Sequence, residues 1–142
     1  MQRFTQLALN ACVISACLGV TIDDLACAAT PDYPQLAGAT SEGRMVWIDT
    51  CEACHAYGIA GSPNPLDPDD WRHRVAKPRI VLYKHAIEGF FGPDDTQMPA
   101  RGGNDSLSDT QVKAAVDYMV ALAKKHLNQI KEDHDSRPET TR

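Results

Sequence analysis

The clearest alternation of apolar and polar positions lies in the C-terminal third of the chain. Apolar residues recur there every three or four positions, which is the spacing of one helix face; they are Ala115, Val116, Met119, Val120, Ala123 and Leu127. Ser108 and Gln111 match a capping box, and Leu107 and Val112 match a hydrophobic staple. The pattern therefore predicts an amphipathic helix that begins after Ser108 and buries its apolar stripe.

A second helix is predicted before the first cysteine of the central region. Thr40 or Ser41 can cap it, and its apolar face contains Gly43, Val46, Trp47 and Cys51. A glycine leaves room for another helix to cross closely, and Tyr118 of the last helix is spaced to meet this face. We expect the first and last helices to cross here, with Trp47 in the core.

Two shorter helices are predicted between these long ones. The first begins at Pro68-Asp69-Asp70, and the second begins at Pro78 and ends at Gly89. The stretches 56–65 and 90–103 contain the glycines and prolines typical of loops. The predicted fold class is therefore all-α, in a single small domain over residues 41–125.

Both ends of the chain differ from this helical region. Residues 1–29 combine Arg3, an apolar run and small residues near Ala29, which is the pattern of a signal peptide removed on export. The run is short for a membrane span, although an uncleaved anchor helix is an alternative. Residues 30–40 contain two prolines and a glycine without periodicity and predict a linker. Residues 126–142 are polar and predict a flexible tail.

The net charge and the cysteine positions limit the functions that the chain can have. The 142-residue chain carries 14 basic and 19 acidic residues, a formal net charge of −5, with no basic patch that would indicate a nucleic-acid partner. Cleavage near Ala29 would remove Cys12, Cys17 and Cys27 and leave Cys51 and Cys54. The alternative is a lipobox-like segment ending at Cys17, which would tether a lipidated protein to a membrane.

The two remaining cysteines form the pentapeptide Cys51-Glu52-Ala53-Cys54-His55, the attachment pattern of c-type haem. In a helical turn both sulfurs can form thioethers with one porphyrin while the next imidazole binds the iron. A redox dithiol would follow a strand in a βαβ unit, whereas a helix is predicted here. A zinc site would need a second ligand pair, which the other histidines do not form. We therefore expect one covalently bound haem c with His55 as an iron ligand.

The candidate for the second axial ligand is Met98, in the loop 90–103. Pro99 stiffens the backbone beside it, and Gly102-Gly103 allows the loop to pass close to a porphyrin. A thioether opposite an imidazole stabilises ferrous iron and raises the reduction potential. The rival is His85, but its place on a helix between charged residues is more typical of a solvated side chain.

From Ser41 to about Ala123 the chain resembles a class I cytochrome c and is most similar to the cytochrome c5 group. The matching residues are Gly43, Trp47, Cys51 to His55, Gly61-Ser62-Pro63, Trp71, Arg74, Ala86, Gly89, Met98-Pro99, Gly102-Gly103, Leu107-Ser108-Asp109, Ala115 and Tyr118. The chain departs from the group in a longer stretch between Gly89 and Met98. It also lacks the additional cysteine pair that some members carry.

The resemblance implies a fold of small helices wrapped around one haem, with His55 and Met98 as axial ligands. It also implies that Pro63 offers its carbonyl oxygen to His55, and that Trp71 and Arg74 lie near a haem propionate.

The functional expectation is a periplasmic electron carrier that is not an enzyme. Iron with two protein ligands has no open position for a substrate, so it exchanges electrons with donor and acceptor proteins. One alternative is a haem protein that binds a small ligand or reacts with peroxide. Another is a cytochrome subunit fixed in a larger oxidoreductase complex.

Overall fold

The computed structural model describes residues 33–93 and 95–137. The predicted signal peptide at residues 1–29 and the alternative lipid tether at Cys17 lie outside the described residues. The helices are α1 (Ser41–Val46), α2 (Glu52–His55), α3 (Pro68–Trp71), α4 (Arg79–Glu88) and α5 (Asp109–Ser136). A π-helical turn, Trp47–Cys51, joins α1 to α2, and two short strands, β1 (Phe90–Phe91) and β2 (Gln97–Met98), pair before α5.

Helices α1 and α5 cross at the predicted glycine. A methyl group at Gly43 would lie 2.3 Å from the backbone oxygen of Ala114, so only glycine permits this approach. Trp47 and Tyr118 are fully buried beside the crossing, with their ring centroids 6.4 Å apart. The predicted crossing and the core position of Trp47 are confirmed.

Local capping chemistry places the starts of α1 and α5. The Thr40 hydroxyl accepts a 3.0 Å hydrogen bond from the backbone N–H of Gly43. Ser108 and Gln111 form both halves of the predicted capping box. The buried face of α5 consists of Val112, Ala115, Val116, Tyr118, Met119, Val120, Leu122 and Ala123.

Helix α5 extends beyond its predicted end. It continues to Ser136, so the part of the predicted tail that the structure describes, from residue 126 to Ser136, is helical. Leu127 and Ile130 are half-buried and prolong the apolar stripe. Gln129, Lys131 and Glu132 also have high helix propensity. From Lys131 onward the described residues are exposed, so this end is solvated but helical.

The linker predicted for residues 30–40 packs against the core where it is described. Tyr33 and Leu36 are buried, and the Tyr33 ring meets Trp47 edge-on at 5.5 Å. The Tyr118 hydroxyl donates a 2.9 Å hydrogen bond to the backbone oxygen of Pro34. An irregular segment thus adds two buried side chains to the core, one of them against Trp47, and a search for helical periodicity does not detect it.

The middle of the chain forms the expected short helices and one unpredicted strand pair. Asp67 caps α3 by accepting a 2.8 Å hydrogen bond from the N–H of Asp69, and Gly89 ends α4 with a φ of 88°. The antiparallel ladder pairs Phe90 with Met98 and Phe91 with Gln97. The all-α prediction is therefore correct except for this short hairpin. Among the described helices, none combines the length and apolar content that a membrane crossing requires.

Candidate haem-binding site

The pentapeptide Cys51 to His55 lies on one continuous helical path made of the π-helical turn and α2. Cys51 is half-buried, and its thiol lies 3.8 Å from the backbone oxygen of Val46, to which it can donate. Cys54 is exposed, and neither cysteine forms a disulfide. Burial, followed by the proximity of Cys54, raises the pKa of Cys51 to about 11. Both side chains are therefore free thiols available for thioether bonds.

His55 is held by its Nδ1 atom in a buried position. His55 is only 7% exposed, and its Nδ1 atom lies 3.0 Å from the backbone oxygen of Pro63. Because a carbonyl oxygen only accepts, Nδ1 carries the proton, and the Nε2 lone pair stays free for a metal. Burial lowers the pKa of His55, and the hydrogen bond to Pro63 acts in the opposite direction. The imidazole is thus in the neutral form that binds metal ions.

The loop that carries Pro63 is itself fixed by Asn64. The backbone N–H of Asn64 donates to a carboxylate oxygen of Asp70 over 2.9 Å, and its side-chain amide donates to the backbone oxygen of Ala56 over 3.0 Å. These two bonds connect both ends of the loop to the helices around it. Sequence reasoning missed Asn64 and Asp70 in this role, and the only available signal was a polar residue between two prolines.

Trp71 and Arg74 lie on the same side of the structure as Pro63. Trp71 is buried, and its indole N–H donates to the Pro63 oxygen over 3.4 Å, so that oxygen accepts from two side chains. The Arg74 guanidinium donates to the backbone oxygen of Asp70 and lies 3.9 Å from the Asp70 carboxylate. The predicted role of Trp71 and Arg74 beside a propionate stays a prediction.

Met98 ends strand β2 and is half-buried against the hydrophobic core. The turn that follows, Ala100–Gly103, passes close to the segment before the first cysteine, because a methyl group at Gly102 would lie 3.0 Å from Cγ2 of Thr50. The structure thus brings the chain next to Met98 against the chain next to Cys51. This proximity joins two stretches that are far apart in the sequence.

The rival residue His85 has a different environment. Its ring stacks on Phe90 with the ring centroids 4.2 Å apart and the planes 22° apart. Burial lowers the pKa of His85, and Lys77 and Lys84 add to this effect. An imidazole packed in this way between α4 and β1 already has a structural role.

The side chains of Cys51, Cys54, His55 and Met98 fit a covalently attached haem better than a metal ion held by protein side chains alone. Within residues 33–93 and 95–137, no group of three or more histidine, cysteine, aspartate or glutamate side chains is arranged to hold a metal. Two free thiols, a neutral imidazole with an available Nε2 and a half-buried thioether are instead the groups that attach and ligate a haem.

Comparison with known proteins supports this interpretation. The family model described as "Cytochrome C oxidase, cbb3-type, subunit III" matches residues 38–119. The chain is 38% identical over 82 residues to cytochrome c-555 of Chlorobaculum thiosulfatiphilum, covering 58% of this chain and 94% of that protein. It is 31% identical over 123 residues to the cbb3-type cytochrome c oxidase subunit CcoP of Cereibacter sphaeroides, covering 82% of this chain and 39% of that subunit.

A solved structure shares the fold. A chain of the crystal structure of an electron transfer complex of nitrite reductase with cytochrome c aligns with a TM-score of 0.53 and 29% sequence identity. The alignment covers 60% of this chain and 98% of the other.

Proposed function

Because this chain belongs to the class I cytochrome c family, we propose that it is a one-electron carrier whose iron has His55 and Met98 as axial ligands. Its cofactor is haem c, attached through Cys51 and Cys54. When bound, the haem supplies an iron that alternates between the ferric and ferrous states. The observation that carries the proposal is the His55 imidazole, fixed by the Pro63 oxygen 3.0 Å from Nδ1, directly after two free thiols.

Each residue of the site contributes a defined property to this role. Pro63, fixed by the Asn64 bonds, holds the imidazole ring in one tautomer and increases the basicity of Nε2. A Met98 thioether bound to the haem iron would stabilise its ferrous form and would leave no open position for oxygen or peroxide. A site with both ligands in place therefore favours electron exchange over substrate chemistry, and its partners are donor and acceptor proteins that dock briefly.

The decisive experiment is an optical spectrum of the purified holoprotein together with the Met98→Ala variant. We expect the wild-type protein to show the weak near-infrared sulfur-to-iron band and to bind no carbon monoxide when reduced. Met98→Ala should lose the band and bind carbon monoxide. Its reduction potential should also fall, by a sizeable part of the roughly 0.8 V range over which axial ligands set haem potentials.

The control variant is Met45→Ala, which removes an exposed methionine from α1. This change should leave the near-infrared band and the potential as they are. If Met98→Ala also leaves both unchanged, Met98 is not the ligand. If the wild-type protein lacks the band and binds carbon monoxide, a ligand-binding or peroxidatic haem protein replaces the electron carrier as the proposed function.

The proposal includes export to the periplasm with cleavage of residues 1–29, leaving a haem domain over residues 41–125. It is supported by the cysteine positions, because cleavage near Ala29 leaves a chain whose only thiols are the haem-attaching pair. Intact mass of the protein purified from its native compartment tests this part. A mass that corresponds to an N-terminus near Ala29 or Thr30 is expected, whereas a lipidated N-terminus at Cys17 would contradict it.

A second candidate function is that of a cytochrome subunit in a membrane oxidase complex. It is favoured by the family description and by the match to CcoP, which covers 82% of this chain. Native gel electrophoresis with haem staining of both the periplasmic fraction and detergent-solubilised membranes separates the two. A free carrier runs at the size of this chain, and a subunit runs with a larger complex.

A further inference from the structure

In the turn after Met98, Arg101 has a backbone conformation that a residue with a Cβ atom does not favour. Arg101, Gly102 and Gly103 have φ values of 54°, 67° and 82°, all in the left-handed region. Glycine adopts this region freely, but a residue with a Cβ atom does so only under constraint from its surroundings. Arg101 is therefore held in place by something other than its own backbone preference.

The constraint comes from the Arg101 side chain, which reaches the start of α5. Its Nη1 donates to the backbone oxygen of Leu107 over 2.7 Å, and its Nη2 donates to the Asp109 carboxylate over 2.6 Å. The Arg101 side chain is only 26% exposed, and the bond to Asp109 is charge-assisted. Helix α5 is the longest of the described helices and packs across α1, so it is a rigid support for the turn.

The turn is also in contact with two other elements. The N–H of Gly102 donates to the Pro99 oxygen over 3.2 Å, which closes the turn directly after Met98. A methyl group built on Gly102 would lie 3.0 Å from Cγ2 of Thr50. A methyl group built on Gly89 would lie 3.0 Å from the backbone oxygen of Met98. The turn thus lies between the end of α4 and the segment before Cys51, and Arg101 is its side-chain link to α5.

We propose that Arg101 is the positioning residue of the Met98 ligand. By tying the turn to the first residues of α5, it limits how far the Met98 thioether can withdraw from the iron. This inference rests on the proposed His55 and Met98 ligation and adds to it a residue whose side chain binds the start of α5.

The main test variant is Arg101→Gly in the holoprotein, because glycine adopts the left-handed backbone without strain and removes both side-chain hydrogen bonds. Two urea midpoints are measured, one for loss of the near-infrared sulfur-to-iron band and one for loss of far-ultraviolet circular dichroism. We expect the band midpoint to fall further than the dichroism midpoint. At a carbon monoxide concentration that leaves the reduced wild type unbound, a measurable fraction of the reduced variant should bind it, because loss of a charge-assisted bond raises the population in which Met98 is off the iron at least about tenfold.

Two further variants separate positioning from general stability. Arg101→Lys should be intermediate, since an ammonium group is a point donor that cannot reproduce the forked contact with both acceptors. Arg79→Gln removes an ion pair of similar exposure, in which Nε lies 3.0 Å from the Asp117 carboxylate, remote in sequence from Met98. It should move both urea midpoints together and leave carbon monoxide binding at the wild-type level.

The outcomes distinguish this inference from the proposed function. If Arg101→Gly moves both midpoints together and binds carbon monoxide as the wild type does, Arg101 is only structural and the inference is wrong. If the wild-type protein itself lacks the near-infrared band, Met98 is not the ligand, and both the ligation and the role of Arg101 are overturned.

Discussion

At the scale of single residues, Tyr33 shows how a segment without regular structure contributes to the core. Its ring is buried against Trp47, and burial, with Glu52 as the next cause, raises its pKa from 10.0 to about 12. The folded state therefore favours the neutral phenol. The stabilisation that the neutral Tyr33 phenol gives the folded state is complete below pH 10 and is lost as the pH rises towards 12.

The Tyr33→Phe variant should consequently lose less stability at alkaline pH than the wild type. Between pH 10 and pH 12 the wild-type free energy of unfolding should fall by about 1–2 kcal/mol more than that of the variant. Urea unfolding of both holoproteins at a series of pH values measures the difference. If the unfolding free energies of the two proteins change in parallel with pH, the pKa of the Tyr33 phenol is the same in the folded and unfolded states.

The sequence predicts the geometry of the site at residue scale where the chemistry is local. Cys51, Cys54 and His55 lie within one stretch of five residues, so their arrangement on one helical path needs no knowledge of the remaining chain. The contact between Pro63 and His55 followed only from a family resemblance. The two bonds that fix Asn64 were not foreseen, because the distance between Asn64 and Asp70 depends on how the loop packs against α3.

At the scale of elements, the crossing of α1 and α5 depends on the absence of one side chain. A Gly43→Ala variant should be destabilised by about 1–3 kcal/mol, the usual cost of overpacking, because its methyl group would lie 2.3 Å from backbone that cannot rotate away. Urea unfolding of the holoprotein measures this loss.

The matched control on the same helix is the exposed residue Glu42. Glu42→Ala should change the free energy of unfolding by no more than about 0.5 kcal/mol. Equal stabilities for Gly43→Ala and Glu42→Ala would mean that the helices separate at little cost and that the close approach is not required.

Element boundaries were predictable wherever a capping residue sets them. Thr40, Ser108 and Gly89 each act on the backbone within a few residues, and each lies where the sequence predicted a helix end. The end of α5 has no such signal before Ser136, and a change in polarity alone does not stop a helix. The β1–β2 ladder was missed because two-residue strands leave no periodic pattern.

At the scale of the whole molecule, the haem is expected to be part of the core. A domain of this length builds a modest core by itself, and a porphyrin supplies a large apolar body. The double variant Cys51→Ala/Cys54→Ala, purified without haem, should therefore have reduced helicity and no cooperative thermal transition. Circular dichroism against temperature measures both. A sharp transition with native-like helicity would show that the polypeptide core suffices.

The close approach of Gly43 to Ala114 also determines when the protein can fold. The two helices that form the central crossing lie near opposite ends of the domain, so the core cannot close until nearly all of the chain has been synthesised. At roughly 5–20 residues per second, the cysteine pair leaves the ribosome several seconds before α5 does. Until α5 is present, both thiols are on a polypeptide whose core has not closed, so Cys51, which is half-buried in the finished fold, is still open to solvent.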